Sequence, residues 1–353
     1  MALSSIEDAI KDFAEGKLII VVDDEDRENE GDLILAAEKA TPENIAFMIR
    51  HTSGIICAPA EEERLNELEL PIMVEQNSDP LRTAFTVSTD YMRGMTTGVS
   101  AVERANTLRA LADGSVAAAD FIKPGHIFPL RYRTGGVLVR SGHTEAAIDL
   151  CKLAELKPVG ALAELNHDDG TMMRMPALIE FAEAHGLHII SIESLIKYRA
   201  EHDVLVSEIA TSEISLNGAN YQAHVYKTVF DGKLITAIVK GNIESETPTL
   251  VRVIKGSNGR DFMSSAMVEG NVISNSLKLI ADAPQGVFIY LPPSEETEVE
   301  DEQSGAVWRE VGLGSHILSS LGVRRIHLLA SKELTYPGIS SFGLHIETII
   351  KED

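Results

Sequence analysis

Residues Asp23 to Asp32 read DDEDRENEGD, and the fold turns on how this stretch is placed. Seven of its ten side chains are carboxylates: Asp23, Asp24, Glu25, Asp26, Glu28, Glu30 and Asp32. On either side lie the apolar runs LIIVV (18–22) and LILAA (33–37), each short and rich in aliphatic residues, which predicts two buried strands. The acids therefore leave the ends of two core strands and enter one small volume. Like charges held that close need a cation, a proton or an arginine. Arg27 supplies one positive charge against seven negative ones. Oxygen ligands on a strand-to-strand loop suit a hard divalent ion, magnesium above all. The same residues also suit a solvated hairpin tip. A calcium loop of the EF-hand kind fails, because its twelfth position falls on Ala37, where a bidentate Glu is required.

At 353 residues the chain has room for two domains, and 44 % hydrophobic with 24 % charged residues is a globular composition. A net charge of −23 argues against nucleic acid or an anionic membrane as partner, but leaves room for a small anion in a local basic pocket. No apolar run reaches the roughly 18–20 residues of a membrane span, and the first residues lack the layout of a signal peptide. Cys57 and Cys151 stand far apart in sequence, so no disulfide framework is expected, and a reducing, cytoplasmic location is.

Outward from the acidic stretch, residues 4–16 predict a helix capped by Ser4 with Glu7 as its reciprocal partner. Thr41-Pro42-Glu43 starts another helix, stopped by Gly54, before an extended Ile55–Ala58. Strands are expected over Thr86–Tyr91, Val137–Arg140, Val159–Leu165 and Leu187–Ser191. Helices are expected from Ser100 to Gly114, from the Ser141–Glu145 turn onward, and over Pro176–His185 and Glu193–Glu201. This alternation points to a mixed sheet covered by helices. After about His202 the character changes to strand-like runs (Leu234–Val239, Leu250–Ile254, Val287–Leu291, Arg325–Ala330, Gly343–Ile350), with helices near Met267–Ile280 and Gly312–Leu321. Pro292–Gln303 reads as an exposed acidic loop. The boundary is placed near residue 203, giving domains 1–202 and 203–353.

Several polar residues of the first half exceed what packing asks for. Arg140-Ser141-Gly142-His143-Thr144 joins a guanidinium, a glycine, a hydroxyl and the free N–H groups of a helix start, which together make a phosphate cradle. His143 is either an exposed cap residue or a metal ligand. His126 lies in Lys123-Pro-Gly-His-Ile-Phe-Pro129, read as a loop stiffened by two prolines, and is placed for proton transfer or for a bond to a backbone carbonyl. Glu164 ends an apolar strand; pointing inward it would be desolvated and fit an acid or base, pointing outward it would be ordinary. Cys57 reads as a small buried residue. A divalent ion, an anion cradle, a histidine and an interior carboxylate suit proton abstraction beside the carbonyl of a phosphorylated polyol.

The stretches DDEDRENEGDLILAAE, LPIMVEQNSDPLRTAFTVSTDY, KPGHIFPLR, RSGHTEAAIDLCKLA and AELNHDDGTMMR, in this order, resemble 3,4-dihydroxy-2-butanone 4-phosphate synthase of riboflavin biosynthesis over residues 3–201. The resemblance implies an α+β chain beginning with a mixed-sheet α/β sandwich. It also implies a homodimer with active sites near the subunit interface, magnesium or manganese, and conversion of ribulose 5-phosphate to dihydroxybutanone phosphate and formate. By motif, Glu28 and His143 correspond to metal ligands. Arg27, Glu28, Asp32, Arg140, Ser141, Gly142, His143, Thr144 and Glu164 correspond to substrate contacts, and His126 and Glu164 to the acid–base residues. Glu30 and Cys57 match positions lining the pocket. Glu103, Ala163 and Lys123 depart from the family's usual Asp, Cys and Arg.

The second half resembles a second α+β domain, GTP cyclohydrolase II, best in EVGLGSHILSSLGVRRIHLLAS and GISSFGLHIE. That enzyme requires a zinc held by three thiolates. Residues 203–353 contain no cysteine, the ligand stretch reads MSSAMVEGNVISN, and PPSEETEVEDEQ replaces an arginine-rich segment. The expectation is no zinc and no cyclohydrolase activity. The rivals are a bifunctional enzyme and a non-catalytic regulator that binds sugar phosphate or metal.

Overall fold

The computed structural model describes residues 3–23, 27–216, 218–256, 272–292, 304–330 and 339–351. The chain divides into two compact units, Met1–Ile196 and Lys197–Asp353.

In the first unit the apolar runs around the acidic stretch form strands β1 (Ile19–Val22) and β2 (Gly31–Ala36), paired antiparallel and buried throughout. Aliphatic side chains on both faces of a strand require cover on both sides of the sheet. The remaining strands are β3 (Cys57–Ala60), β4 (Thr89–Tyr91), β5 (Phe121–Arg131), β6 (Gly160–Glu164) and β7 (Ile189–Ser191), and the sheet order is β4-β5-β3-β6-β2-β1-β7. The β1–β7 and β3–β5 pairs are parallel and the others antiparallel, so the sheet is mixed as expected.

Helices α1 (Ile6–Ala14) and α5 (His143–Leu153) cover one face. The other face meets α2 (Pro42–His51), α3 (Glu62–Glu67), α4 (Ala101–Ala112) and α6 (Met175–His185), whose Ile45, Met48, Leu65, Leu108 and Leu178 pack with Ile20, Leu33 and Leu35. The result is an α/β sandwich.

Local signals explain most boundaries. The Thr41 side chain caps α2, with Pro42 at its first turn, and Ser100 and Glu103 form the capping box of α4. Three expectations need correction. Ser5, not Ser4, caps α1, because the Ser4 backbone N–H donates to Ile189 O (2.8 Å) and its hydroxyl takes the Ile189 N–H (3.2 Å), fastening the chain start to β7. Val137–Arg140 is no strand: Gly135 and Gly136 have positive φ, and a 3-10 turn runs from Gly136 to Leu138. Its Val137 N–H donates to the buried Asp149 carboxylate (2.8 Å). The segment carrying His126 is not a loop but the interior of β5.

Helix α7 (Ile192–His202) leads into the second unit. Strands β8 (Val206–Leu216), β9 (Ala219–Thr228), β10 (Leu234–Lys240), β11 (Thr249–Lys255), β12 (Gly286–Leu291), β13 (Arg325–Ala330) and β14 (His345–Lys351) form a second mixed sheet, ordered β14-β13-β11-β12-β10-β9-β8. Helix α8 (Val272–Asp282) packs Leu277 and Ile280 on Phe288, and α9 spans Ser304–Ser320. Most of PPSEETEVEDEQ, and residues 263–271 of the expected zinc stretch, lie outside the described residues. Among the described residues no helix is long and apolar enough to cross a membrane.

Candidate active site

The acidic stretch is folded by one of its own members. Asp23 follows β1 directly; its Oδ2 accepts from Arg27 Nη1 (2.7 Å) and from the Glu28 N–H (3.2 Å), and its Oδ1 accepts from the Glu30 N–H (2.9 Å). Arg27 Nη1 also donates to Glu28 Oε2 (2.7 Å), so the single arginine of the stretch is shared by two carboxylates. Arg174 holds the loop from outside, donating to the carbonyls of Glu28 (2.7 Å) and Asn29. Gly31 leaves room for Leu178, since a Cβ there would lie 2.6 Å from the Leu178 side chain and displace it. Asp24, Glu25 and Asp26 lie outside the described residues.

Asp32 sits inside β2 rather than in the loop, opposite Val21 on one side and Glu164 on the other. It is 1 % exposed, and its Oδ1 has no hydrogen-bond partner among the described residues. The nearest cation is His143, whose Nε2 lies 3.9 Å from it. His143 opens α5 and is buried; its Nε2 is 3.1 Å from Val21 O, and its Nδ1 is 3.5 Å from Glu28 Oε2. A ring nitrogen occupied by a backbone carbonyl leaves the other one to serve as a ligand. Asp23, Glu28 and His143 each offer a donor atom, all within 4.8 Å of one another.

The electrostatics agree with a place for a cation. Burial pushes the His143 imidazole down, but Asp32, Glu28 and Asp23 outweigh it and raise it to about 9. Burial likewise pushes Glu28 up, yet His143 and Arg27 hold it at about 2. For Asp32 burial wins and lifts the carboxyl to about 8, with Glu164, Glu28 and Asp23 adding to it and His143 opposing. An orphaned buried carboxylate oxygen beside an imidazole and two further acids fits a divalent ion, with Glu28 and His143 as its holders.

Glu164 is the last residue of β6 and half-buried; its Oε2 accepts from Ser53 Oγ (2.7 Å), and its carbonyl accepts from the Ser53 N–H (2.9 Å). Cys57 is buried beneath it, and burial, with Glu164 and Asp32 adding, pushes its thiol far up, so it forms floor rather than nucleophile. Arg140 donates to the buried Glu145 Oε2 (2.6 Å) and to Leu81 O (3.1 Å). Gly142 is the N-cap of α5, and a Cβ on it would lie 2.5 Å from Arg140 Nη1, so glycine lets the guanidinium cross the helix start. Ala146 is the first residue whose N–H returns to Gly142 O (3.0 Å), which leaves the N–H groups of His143 and Thr144 without an acceptor inside the helix.

The structure thus brings Arg27, Glu28, Glu30, Asp32 and His143 together, with Glu164 and Cys57 alongside and Ser141, Gly142 and Thr144 at the same helix start. His126 stands apart on β5, with its ring on Asp90. Cys57 lies beside Leu162 of β6 and Phe128 of β5. Because β3 runs parallel to β5 and antiparallel to β6, His126 and Glu164 are displaced from that row toward the same end of the sheet. Sequence reading missed the supporting residues Asp23 (as brace), Ser53, Asp90, Glu145 and Arg174. Only Asp23 carried a signal, as the first acid after the strand.

Fold and donor set define the class: an α/β sandwich that gathers carboxylates and one imidazole, a donor set suited to a cation, next to a helix start with free N–H groups. Residues 7–198 match the family model for 3,4-dihydroxy-2-butanone 4-phosphate synthase, more than half of the chain, and residues 207–351 match that for GTP cyclohydrolase II. The chain belongs to the 3,4-dihydroxy-2-butanone 4-phosphate synthase family, which serves riboflavin biosynthesis. The probable bifunctional riboflavin biosynthesis protein RIBA 1 of Oryza sativa subsp. japonica is 43 % identical over 97 % of this chain and 69 % of its own length. The crystal structure of RibBX, a two-domain 3,4-dihydroxy-2-butanone 4-phosphate synthase from A. baumannii, covers 99 % of this chain and 100 % of its own, with 33 % identity and a TM-score of 0.85. A synthase solved in complex with two magnesium ions covers 57 % of this chain and 99 % of its own, with 43 % identity and a TM-score of 0.55.

Proposed function

We propose that the first domain, residues 1–202, converts D-ribulose 5-phosphate to L-3,4-dihydroxy-2-butanone 4-phosphate and formate, with Glu28 and His143 holding magnesium or manganese. The observation that carries this reading is the approach of His143 Nδ1 to Glu28 Oε2 at 3.5 Å, beside the unpartnered Asp32 Oδ1. When bound, a divalent ion there would polarise the ketone and lower the cost of an enediolate. Arg140 and the N–H groups at the start of α5 grip the phosphate, with Ser141, Gly142 and Thr144 lining that end. Arg27 and Asp32 orient the sugar hydroxyls. Glu164 and His126 move protons through enolisation, loss of water, skeletal shift and release of the fourth carbon as formate. The five carbons divide into four plus one, and the water lost early is taken up again as formate leaves, so no oxidant is required.

Ile55, Met92, Val99, Val102 and Ile122 are large apolar residues left exposed. With His126 standing apart from the metal ligands, they support a homodimer in which a second copy completes the site. For the second domain, residues 203–353, we propose no GTP ring opening, because that stretch has no cysteine to hold zinc. Bifunctionality is the second reading, favoured by the match over residues 207–351 and by the naming of the rice relative.

Product analysis separates these readings. Formate and the four-carbon phosphate from ribulose 5-phosphate, dependent on magnesium and abolished by chelator, are expected. No formate from GTP with added zinc is expected. Absence of the first product overturns the synthase reading, and formate from GTP overturns the monofunctional one.

A further inference from the structure

We infer that Asp90 is a positioning residue for His126, which fixes the ring with Nδ1 protonated and presents Nε2 as the nitrogen that exchanges protons with substrate; this rests on the acid–base role proposed above for His126. The arrangement begins with a break in the ladder. Thr89 pairs with Ile127 but Asp90 pairs with Ile122, so residues 123–126 bulge out of β5 opposite β4. Gly125 permits the bulge, since a Cβ there would fall 2.1 Å from the Thr89 carbonyl carbon. It swings His126 over the Asp90 carboxylate, which grips it at two points. Oδ1 accepts from the His126 backbone N–H (2.8 Å), and Oδ2 lies 2.6 Å from the ring Nδ1.

A carboxylate can only accept, so the ring nitrogen facing it carries the hydrogen. In the neutral ring Nε2 then holds the lone pair. The Asp90 side chain is 4 % exposed whereas that of His126 is 43 % exposed, so the free nitrogen is on the open side. The pair is walled by the loop before α4. Gly98, at φ +83°, lies so close that a Cβ would be 2.1 Å from Asp90 Oδ2 and 2.8 Å from His126 Nδ1. Glu103 pins that loop by accepting from Thr96, Thr97 and Ser100. Arg104, from the same helix, acts on Asp90 through its charge while donating to Gly54 O (2.9 Å) and Val99 O (2.9 Å). In turnover Nε2 takes a proton from the substrate, the imidazolium is steadied by Asp90, and the proton returns to a leaving oxygen.

The test combines spectroscopy with two substitutions. Long-range proton–nitrogen spectra of the full chain labelled with 15N-histidine, with His126 assigned by difference against His126→Gln, should show Nδ1–H in the neutral ring. Asp90→Asn keeps shape but offers an amide N–H to Nδ1, forcing the proton onto Nε2. Its kcat should fall by about 10³-fold or more, with KM for ribulose 5-phosphate within about threefold. Asp90→Ala leaves the ring free to adopt either tautomer and should lose less than Asn. A merely structural role predicts the opposite order. An Nε2–H tautomer in the unaltered protein, or Asn more active than Ala, overturns the inference. Should Asp90→Asn fail to fold, the tautomer of the unaltered protein decides. Full turnover by His126→Gln would instead remove the acid–base reading of His126 and leave the tautomer result standing.

Discussion

Asp23 and Glu30, seven residues apart, are joined twice: the Asp23 N–H donates to Glu30 O (3.3 Å), and the Glu30 N–H donates to Asp23 Oδ1 (2.9 Å). One acid thus closes the loop that presents the others. Because both Asp23 oxygens accept, an amide in its place sets one N–H donor against another. Asp23→Asn is therefore expected to loosen the loop while leaving the β1–β2 pairing intact. Manganese affinity, followed by electron paramagnetic resonance, should drop roughly 10–100-fold, as for a lost supporting contact. Unchanged affinity would mean that the loop is shaped by something other than Asp23.

The holders themselves should behave differently from their brace. Glu28→Gln removes a negative ligand oxygen from the cation's place, and His143→Asn removes both a ligand nitrogen and the imidazole that compensates Asp32. Both variants should lose metal affinity by about 100-fold or more and lose formate release with it. The two effects should not add, because either change already dismantles the shared site. Calorimetric titration with manganese reads this directly; a variant that binds metal normally yet is inactive would move its residue from holder to proton carrier.

Glu164 occupies the β6 position opposite Asp32, and its Oε2 is fixed by the Ser53 hydroxyl. Glu164→Gln keeps the size and can still accept from Ser53, but it cannot carry a proton to or from substrate. Turnover should fall by about 10²–10⁴-fold with substrate binding retained. Isothermal titration with ribulose 5-phosphate alongside the rate assay checks both halves. Substantial residual turnover would rule out proton transfer by Glu164.

Much of this was readable from residue pattern because the deciding stretch carries two strong signals at once, aliphatic strands and a crowd of acids between them. The start of α5 was equally plain, with Gly142 placed where a side chain would strike Arg140. Reading failed where long-range pairing overrides local chemistry. Pro124 and Pro129 argue against a strand, yet Pro124 falls in the unpaired bulge, and at Pro129 the strand offers its carbonyl, which accepts from the Thr86 N–H (2.9 Å). The apolar run at 137–140 looked extended, but the two left-handed glycines before it and the Asp149 carboxylate under it wind it into a turn. Asp90 and Ser53 become visible only once distant strands meet.

Glu103 offers a test by pH. Its carboxylate accepts from the Thr96 N–H and hydroxyl (2.8 Å), the Thr97 N–H (3.3 Å), and the Ser100 N–H (3.3 Å) and hydroxyl (2.8 Å). The Thr96 backbone bond first, then the hydroxyls of Thr96 and Ser100, hold it at about 2, down from an ordinary 4.5. A group whose value is lowered by folding stabilises the fold fully above its unfolded value, and that contribution fades as pH falls from there toward the folded value. Glu103→Gln can never have that contribution. The difference in urea midpoint between the unaltered protein and the variant should therefore be largest near about pH 7 and shrink steadily below about pH 4.5. Measuring the difference cancels the many other acids of this chain. A difference that stays constant from neutral pH into the acid range would show that Glu103 holds the loop by shape and not by charge.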